Sequence, residues 1–476
     1  MVDTYATARS MLADLAAKKI SARELLEAHV ARNGQIAKAV NAVIATDLAR
    51  ARKDAAAIDD ARARGAALGA LAGLPITIKD GFDVENMPAV SGNPALANGP
   101  KDCADAAVVA SARKQGAVIW GKTNVPFMLS DIQSYNAIHG TTNNPYDTSK
   151  VPGGSSGGAA AALATGVTPL EIGSDIGGSL RHPANFCGVT ALKTTWGSLD
   201  GRGHVPPSPG RYLEVDLGVY GPMARNVDDL KLLWSVLRGT PEQKRRDIKG
   251  GRVAVWNEEP GWPLAREVRV ATERAAKALG EAGATVEFTK PDISGAELFD
   301  AYTTILTPIV AFDFPEELIA TFAAMRDTDR VLMNSGGPEA GMARFRYRAS
   351  TPYREIVAAQ IVRQRLKDRL ADFFTRYDAI VMPIDMVPPF AHLQEGSFAD
   401  RMLPVDNEMK PYNDLLDWIS VGSALHVPAL AVQAGQTAEG LPVGVQIVGP
   451  WHGEDRLFDY AFAVEERLGG FKRPPI

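Results

Sequence analysis

Between Gly153 and Gly178 the chain places eight glycines in 26 residues: Gly153-Gly-Ser-Ser-Gly-Gly158, Gly166, Gly173 and Gly177-Gly178. No other stretch of the 476 residues is built this way. Backbone with so few side chains turns sharply and lets other backbone come close, but it builds little core of its own. The rest of the chain has to wrap around it. A helix-forming run at Ala159 to Leu163 and a strand-like Pro169-Leu-Glu-Ile172 interrupt the glycines, so the segment reads as loop, helix, strand and loop.

The flanking sequence repeats that alternation. Residues 1–70 read as helices, with Ser21 and Glu24 at capping-box spacing. Leu71 to Lys79 then switches to a short β-branched run, and a lysine stands at the edge of an apolar stretch. Residues 105–115 read as helix, Ala117 to Trp120 as a buried strand, and Thr141 to Pro152 as turns. Residues 251–290 give strand, helix and strand, and residues 295–376 are mostly helical. Ile356, Ala359, Val362, Leu366, Leu370 and Phe373 recur at steps of three or four, the spacing of one helix face. Strand character returns at Ala379 to Met382 and Gly444 to Val448, before a helix near Leu457 to Leu468. Alternating elements predict an α/β fold. We expect a single large α/β/α domain around a mixed central sheet, in four stretches. Residues 1–70 are an N-terminal helical scaffold and 71–250 a core with the motifs. Residues 251–376 are a variable region ending in a helical cover, and 377–476 return to the core.

With 46% hydrophobic and 22% charged residues the chain has enough apolar material for a large core. Fifty-one basic against 56 acidic side chains give −5, which leaves no basic surplus and argues against nucleic acid as a partner. Apolar runs such as Ala159 to Ala164 stop well short of the roughly 18 residues of a membrane helix. No secretory h-region follows the N-terminus, and Cys103 and Cys187 are too few for a disulfide framework or a four-cysteine zinc site. The expectation is a cytoplasmic protein without a metal.

Three constellations compete for the chemistry. Gly116-Ala-Val-Ile-Trp-Gly-Lys-Thr123 fits the phosphate-loop pattern, but its intervening residues are apolar and mostly bulky and read as strand, not as backbone free to turn its N–H groups toward phosphate. Gly153-Gly-Ser155-Ser-Gly157 and Gly154-Ser-Ser156-Gly-Gly158 fit the GxSxG elbow of α/β-hydrolases, with His392, His426 or His452 as a downstream base, although no clear strand precedes them. The third joins Lys79, Ser155 and Ser179. A hydroxyl is a poor nucleophile until a base takes its proton, and a desolvated lysine can be that base. Two serines allow a relay, and Gly177-Gly178 lets backbone N–H groups turn inward as an oxyanion hole beside Ser179.

In its order and spacing this third set is similar to the amidase signature family, whose hallmark is GGSSGG followed by G[ST]DxGGSxRxPA. Every fixed position is present from Gly153 through Ala184. Leu74 to Asp80, Gly121 to Asn124, Gly140 to Pro145, Gly221 to Arg225, Val381 to Pro383 and Gly440 to Gly449 resemble the family's other landmarks, so the likeness covers most of the chain except residues 290–350. The resemblance implies Ser179 as the acyl-accepting nucleophile, Ser155 as the bridging serine after a cis peptide bond, and Lys79 as the base. It implies an oxyanion hole from the N–H groups of Ile176, Gly177, Gly178 and Ser179, with Ser156, Asp175 and Arg181 as supports. No metal or organic cofactor is called for.

The chain departs from the family pattern at Thr190 to Thr195, at Val125 to Leu129 and at Ala424 to Pro428. On these departures we expect a free-standing amidase, not the glutaminase subunit of a tRNA amidotransferase. Its partner would be a small-molecule amide or carbamate, including aryl amides, with no nucleic acid and no membrane; the sequence leaves the oligomeric state open. Leu129, Ser130 and the 290–350 segment are expected to line the substrate pocket, with Phe312, Phe314, Phe322 and Met325 setting specificity.

Overall fold

Every residue of the strand Pro75–Lys79 is buried, because parallel neighbours pair with it on both sides: Val118–Thr123 and Leu170–Asp175. A strand covered on both faces reads as a continuous apolar run, and Leu74, Ile76 and Ile78 are fully buried around the lysine that ends it. The computed structural model describes residues 2–99, 101–206, 212–335 and 339–476.

From this parallel centre the sheet grows to 11 strands. Val43–Thr46 pairs antiparallel with Val118–Thr123 and forms one edge. On the other side Leu170–Asp175 pairs antiparallel with Val219–Ala224, which pairs with Thr190–Lys193. Ala429–Gln436, Pro442–Val448 and Ala379–Pro383 continue antiparallel, and Arg252–Val255 and Thr285–Phe288 finish in parallel. Helices Val227–Arg238, Arg266–Glu281 and Glu454–Leu468 pack on the sheet and on one another, and Gly157–Ala164 and Arg181–Phe186 form a second packed set. The architecture is the expected single α/β domain with a mixed sheet.

Several elements escape a reading of periodicity. Val43–Thr46 is a four-residue strand inside a stretch that reads as all helix. Val219–Ala224 contains Gly221 and Pro222, ordinarily strand breakers, yet Pro222 stands opposite Ile172 in the ladder. Its neighbour Thr190–Lys193 is too short to show a period.

The helical cover comprises Gly295–Val310, Glu316–Ala324, Arg326–Leu332, Ala340–Ala349 and Tyr353–Phe373; residues 336–338 within it lie outside the described residues. Tyr353–Phe373 buries Ala359, Leu366, Leu370 and Phe373 and packs along Gly295–Val310. A small separate cluster forms within the cover, where Ala311, Phe322 and Ala349 meet Phe314, Ile319 and Phe345.

Two glycines of the Gly153 to Gly158 loop show why that loop is glycine. Gly153 has φ +85°, and a Cβ there would lie 2.7 Å from the Pro183 backbone. Gly158 donates to the Asn124 carbonyl at 3.2 Å, and a Cβ on it would meet the Asn124 nitrogen at 2.3 Å. Gly34, inside the helix Ala22–Val40, has nothing within 4 Å of its Cβ position. Gly158→Ala should therefore destabilise the protein by about 1–3 kcal/mol through forced backbone shifts. Gly34→Ala should stabilise it by about 0.5–1 kcal/mol. Denaturant midpoints of the two variants, moving in opposite directions, check this.

Candidate active site

Lys79 ends its strand with the side chain fully buried, and its amine has three neighbours. Nζ lies 2.7 Å from Ser155 Oγ, 3.0 Å from Ser174 Oγ and 3.2 Å from the Ser174 carbonyl oxygen. Among the described residues no carboxylate touches it. Asp80, next in the chain, turns away to pair with Lys122 at 2.8 Å. Burial pulls the Lys79 amine down to about 7 against the opposing fields of Asp175 and Glu171. Glu171 is itself pushed up to about 7 by burial, against hydrogen bonds from Thr77 and Thr123, so its opposition is weakened.

Ser155 precedes the helix Gly157–Ala164, and the Gly154–Ser155 peptide is cis. Ser179 begins the turn into the helix Arg181–Phe186. The two segments meet where the Ser156 N–H donates to the Ser179 carbonyl at 3.2 Å, and Ser156 Oγ reaches the Ser174 carbonyl at 3.5 Å. The Ser155 and Ser179 hydroxyls share no hydrogen bond. Ser179 is 7% exposed and lines a cavity enclosing about 1030 Å³, part of it open to solvent.

The loop before Ser179 is held from behind. Asp175 accepts from the N–H groups of Gly178 (2.9 Å) and Leu180 (3.1 Å). Tyr302 OH donates to the Ile176 carbonyl at 3.0 Å, and His182 Nε2 donates to the Gly177 carbonyl at 2.9 Å. His182 Nδ1 lies 2.5 Å from Asp385, which also accepts from Asn185. In a trans peptide the N–H points opposite to the C=O, so anchoring the Ile176 carbonyl aims the Gly177 N–H the other way. The N–H groups of Ile176, Gly177 and Ser179 make no hydrogen bond to another described residue, and all three residues line the cavity. Gly178 differs from the expectation: its N–H is already taken by Asp175, the carboxylate at the end of the strand Leu170–Asp175, which lies three residues before it.

Arg181 spends its guanidinium on Asp175, the Ile419 carbonyl, Gln446 and Ser423, and both members of the Asp175–Arg181 pair are fully buried. Burial alone would raise Asp175, but the charge and hydrogen bonds of Arg181 hold its carboxyl well below the usual carboxylate range.

Leu129 and Ser130 line the cavity with Ser179. From the cover, Phe299, Leu306 and Val310 come from Gly295–Val310, and Arg344, Phe345 and Arg348 from Ala340–Ala349. Phe312, Phe314, Phe322 and Met325 are not in the lining: Phe312 faces solvent, and Phe314 and Phe322 pack in the small cluster within the cover.

The competing constellations separate from this arrangement. Val118–Thr123 is a buried strand, and Lys122 is tied to Asp80 and the Met87 and Pro88 carbonyls, so no phosphate loop exists there. His426 pairs with Asp216 and stacks on Trp196, while His392 contacts Gln394 and His452 contacts Ser198. None of the three bonds to Ser155, Ser156 or Ser179. Sequence reasoning overlooked Ser174, His204, Tyr302, His182 and Asp385. Ser174 and His182 lay inside the quoted motif; the others carry no local signal, since only the fold brings them to the loop.

A family model described as amidase matches residues 24–458. The chain belongs to the amidase family. Among curated proteins it is similar to the A subunit of the glutamyl-tRNA(Gln) amidotransferase of Acidothermus cellulolyticus, 32% identical over 97% of this chain and 95% of that protein. Among solved structures, a bacterial aryl acylamidase of the amidase signature family superposes with a TM-score of 0.81 at 24% identity, covering 97% of this chain and 96% of that one. A chain from a vestigial protein complex bearing on the origins of an s-triazine catabolic enzyme superposes with a TM-score of 0.81 at 27% identity, covering 98% and 100%.

These relatives correct two expectations. A free-standing amidase set apart from amidotransferase subunits does not stand, because curated proteins similar along nearly the whole chain carry the subunit name. Nor does a partner list limited to a small amide or carbamate without nucleic acid, because those relatives are named for a tRNA and a multisubunit enzyme. The physical reason is one of place. The departing segments include the buried strand Thr190–Lys193 and a short turn at Phe127–Leu129 whose Leu129 lines the cavity, and residues of that kind carry no information about assembly. Net charge, too, describes one chain, and a neighbouring protein in an assembly can carry the basic surface.

Removal of one partner of a fully buried ion pair strands the other's charge. Arg181→Met should lower unfolding free energy by about 3–5 kcal/mol. Chemical denaturation checks it, and a loss within about 1 kcal/mol would mean that Asp175 finds another partner.

Proposed function

We propose that this amidase cleaves a carboxamide by transferring its acyl group to Ser179, with Lys79 as the base and Ser155 as the carrier of the proton between them. The observation that carries the reading is a buried amine with no carboxylate in contact among the described residues, 2.7 Å from a serine hydroxyl. Neutral Lys79 takes the Ser155 proton, Ser155 takes the Ser179 proton, and Ser179 Oγ bonds to the carbonyl carbon. The carbonyl oxygen becomes an oxyanion, for which the Ile176, Gly177 and Ser179 N–H groups are donors. Each such donor contributes on the order of 10²–10³ in rate. Collapse breaks the C–N bond, the relayed proton leaves with the amine, and water repeats the sequence in reverse to free the acid. The two serine hydroxyls are not bonded to each other here, and contacts of this kind tighten when substrate is bound.

The lining favours an apolar substituent on the amide: Phe299, Leu306, Val310, Phe345, Phe398 and Leu416 surround the approach to Ser179. Aryl amides and carbamates with aromatic groups suit such a surface. A second reading takes its support from the relatives' name. Arg344 and Asp414 also line the cavity, one of each charge, and would suit the two charged ends of an amino acid amide whose nitrogen is released for transfer. Ammonia release from glutamine against amine release from an aryl amide, measured on one preparation, distinguishes the two.

A fluorophosphonate adduct should map to Ser179, and Ser179→Ala or Lys79→Ala should cost on the order of 10⁴ or more in turnover. Lys79→Arg should rescue almost nothing, since guanidinium does not deprotonate. An adduct on Ser155 or Ser156, or a Lys79→Arg enzyme near parental turnover, contradicts the scheme.

The pH profile tests the base separately. Only the neutral amine accepts a proton, and burial brings Lys79 down to about 7. Values of kcat/KM should therefore rise about tenfold per pH unit on the acid side and level off above about pH 7. A profile still rising toward pH of about 10.4 would place the lysine in water.

A further inference from the structure

Against Ser174, whose hydroxyl touches Lys79, lies a histidine that no motif marks. His204 Nε2 is 2.9 Å from Ser174 Oγ, and its Nδ1 is 2.9 Å from the Pro206 carbonyl oxygen. The ring is wedged between Phe82 and Tyr220, at centroid distances of 4.9 and 5.1 Å. Its backbone is zipped to the residues that follow Lys79: the Asp83 N–H donates to the Gly203 carbonyl at 2.8 Å and the Val205 N–H to the Gly81 carbonyl at 2.9 Å. The ring therefore cannot drift relative to the end of the lysine strand.

We propose that His204 is a positioning residue that, through Ser174, aims the lone pair of Lys79 at Ser155. The inference rests on the reading of Lys79 as the base, and it follows from counting protons. A carbonyl oxygen only accepts, so the contact with Pro206 puts the ring proton on Nδ1. Burial holds His204 well below the ordinary imidazole value, so the ring is neutral and Nε2 is an acceptor. Nε2 therefore takes the Ser174 hydroxyl proton, and toward Lys79 Ser174 Oγ offers only lone pairs. The Ser174 carbonyl also accepts only. A neutral amine has two N–H bonds and one lone pair. Both N–H bonds go to Ser174, and the lone pair is left for the one remaining neighbour among the described residues, the Ser155 hydroxyl at 2.7 Å. Without the imidazole, Ser174 is free to donate its proton to Lys79 and occupy the lone pair that Ser155 needs.

His204→Phe fills the same wedge and removes the acceptor. His204→Gln restores it, with Oε1 toward Ser174 and the amide NH₂ toward Pro206. We expect His204→Phe to lower kcat and the rate of Ser179 labelling by fluorophosphonate roughly 10- to 100-fold, with KM within about twofold. His204→Gln should recover to within about fivefold of the parent. Ser174→Ala should cost about as much as His204→Phe, and the double variant no more than either, because the two act through one contact. Equal impairment of the Phe and Gln variants, a parental His204→Phe, or additive losses in the double variant would overturn the proposal. If His204→Phe does not fold, Ser174→Ala decides alone, and parental turnover there overturns it. Lys79→Ala in the same assay separates the two levels. If it stays active, the base reading itself fails; if it is inactive while His204→Phe is parental, only the role of His204 fails.

Discussion

The arrangement depends on an amine kept out of water with, among the described residues, no carboxylate against it. A lysine in the middle of a sheet would ordinarily draw in the nearest acid, and two are close: Asp175 and Glu171 both bias Lys79 toward its charged form. The fold engages each of them elsewhere. Asp175 is taken by Arg181 and by the Gly178 and Leu180 N–H groups, and Glu171 by Thr77 and the Ile172 N–H. Asp80, the remaining candidate, pairs with Lys122. What remains around the amine are two serines, and desolvation then outweighs the residual fields.

The same economy shapes the loop that carries Ser179. Asp175 ends the strand Leu170–Asp175, orients the loop through two N–H groups and neutralises Arg181, whose other hydrogen bonds reach the helix Leu416–Ala424 and the strand Pro442–Val448. The cover adds Tyr302, which grips the Ile176 carbonyl. A helix far along the chain thus both lines the cavity, through Phe299, and fixes the backbone of the loop. Changes in the cover are for that reason coupled to the geometry at Ser179 and are not confined to substrate choice.

Family membership and assembly are separate matters. The glycine-serine motifs sit where backbones touch, as at Gly158 against Asn124, so they report the interior of the fold. They say nothing of the outer surface. The chain is similar both to a protein named as the A subunit of a glutamyl-tRNA(Gln) amidotransferase and, in fold, to a solved aryl acylamidase, and departures at Thr190 to Thr195 or Ala424 to Pro428 do not sort it between them.

Local periodicity sufficed for the α/β class and the cover stripe at Leu366 and Leu370, and the motif from Gly153 to Ala184 for the family likeness, because each depends on neighbours close in the chain. It missed Val219–Ala224, whose Pro222 is tolerated because the ladder with Thr190–Lys193 takes in only Met223 and Ala224, so the proline pairs on one side alone, with Ile172. It placed Lys79, Ser155 and Ser179 as a set, but pointed to Phe312 and Phe322 for the pocket, where Phe299 and Phe345 stand instead. Both pairs are aromatic residues of helical segments, and which of them faces the cavity depends on how those helices pack. His204 and Asp385 lie 125 and 306 residues beyond Lys79 and join its surroundings only through strand order and loop closure. The residues proposed for the chemistry stand in motifs that the chain itself displays. Which protons face which lone pairs is decided by distances across the sheet, and those exist only in the folded molecule.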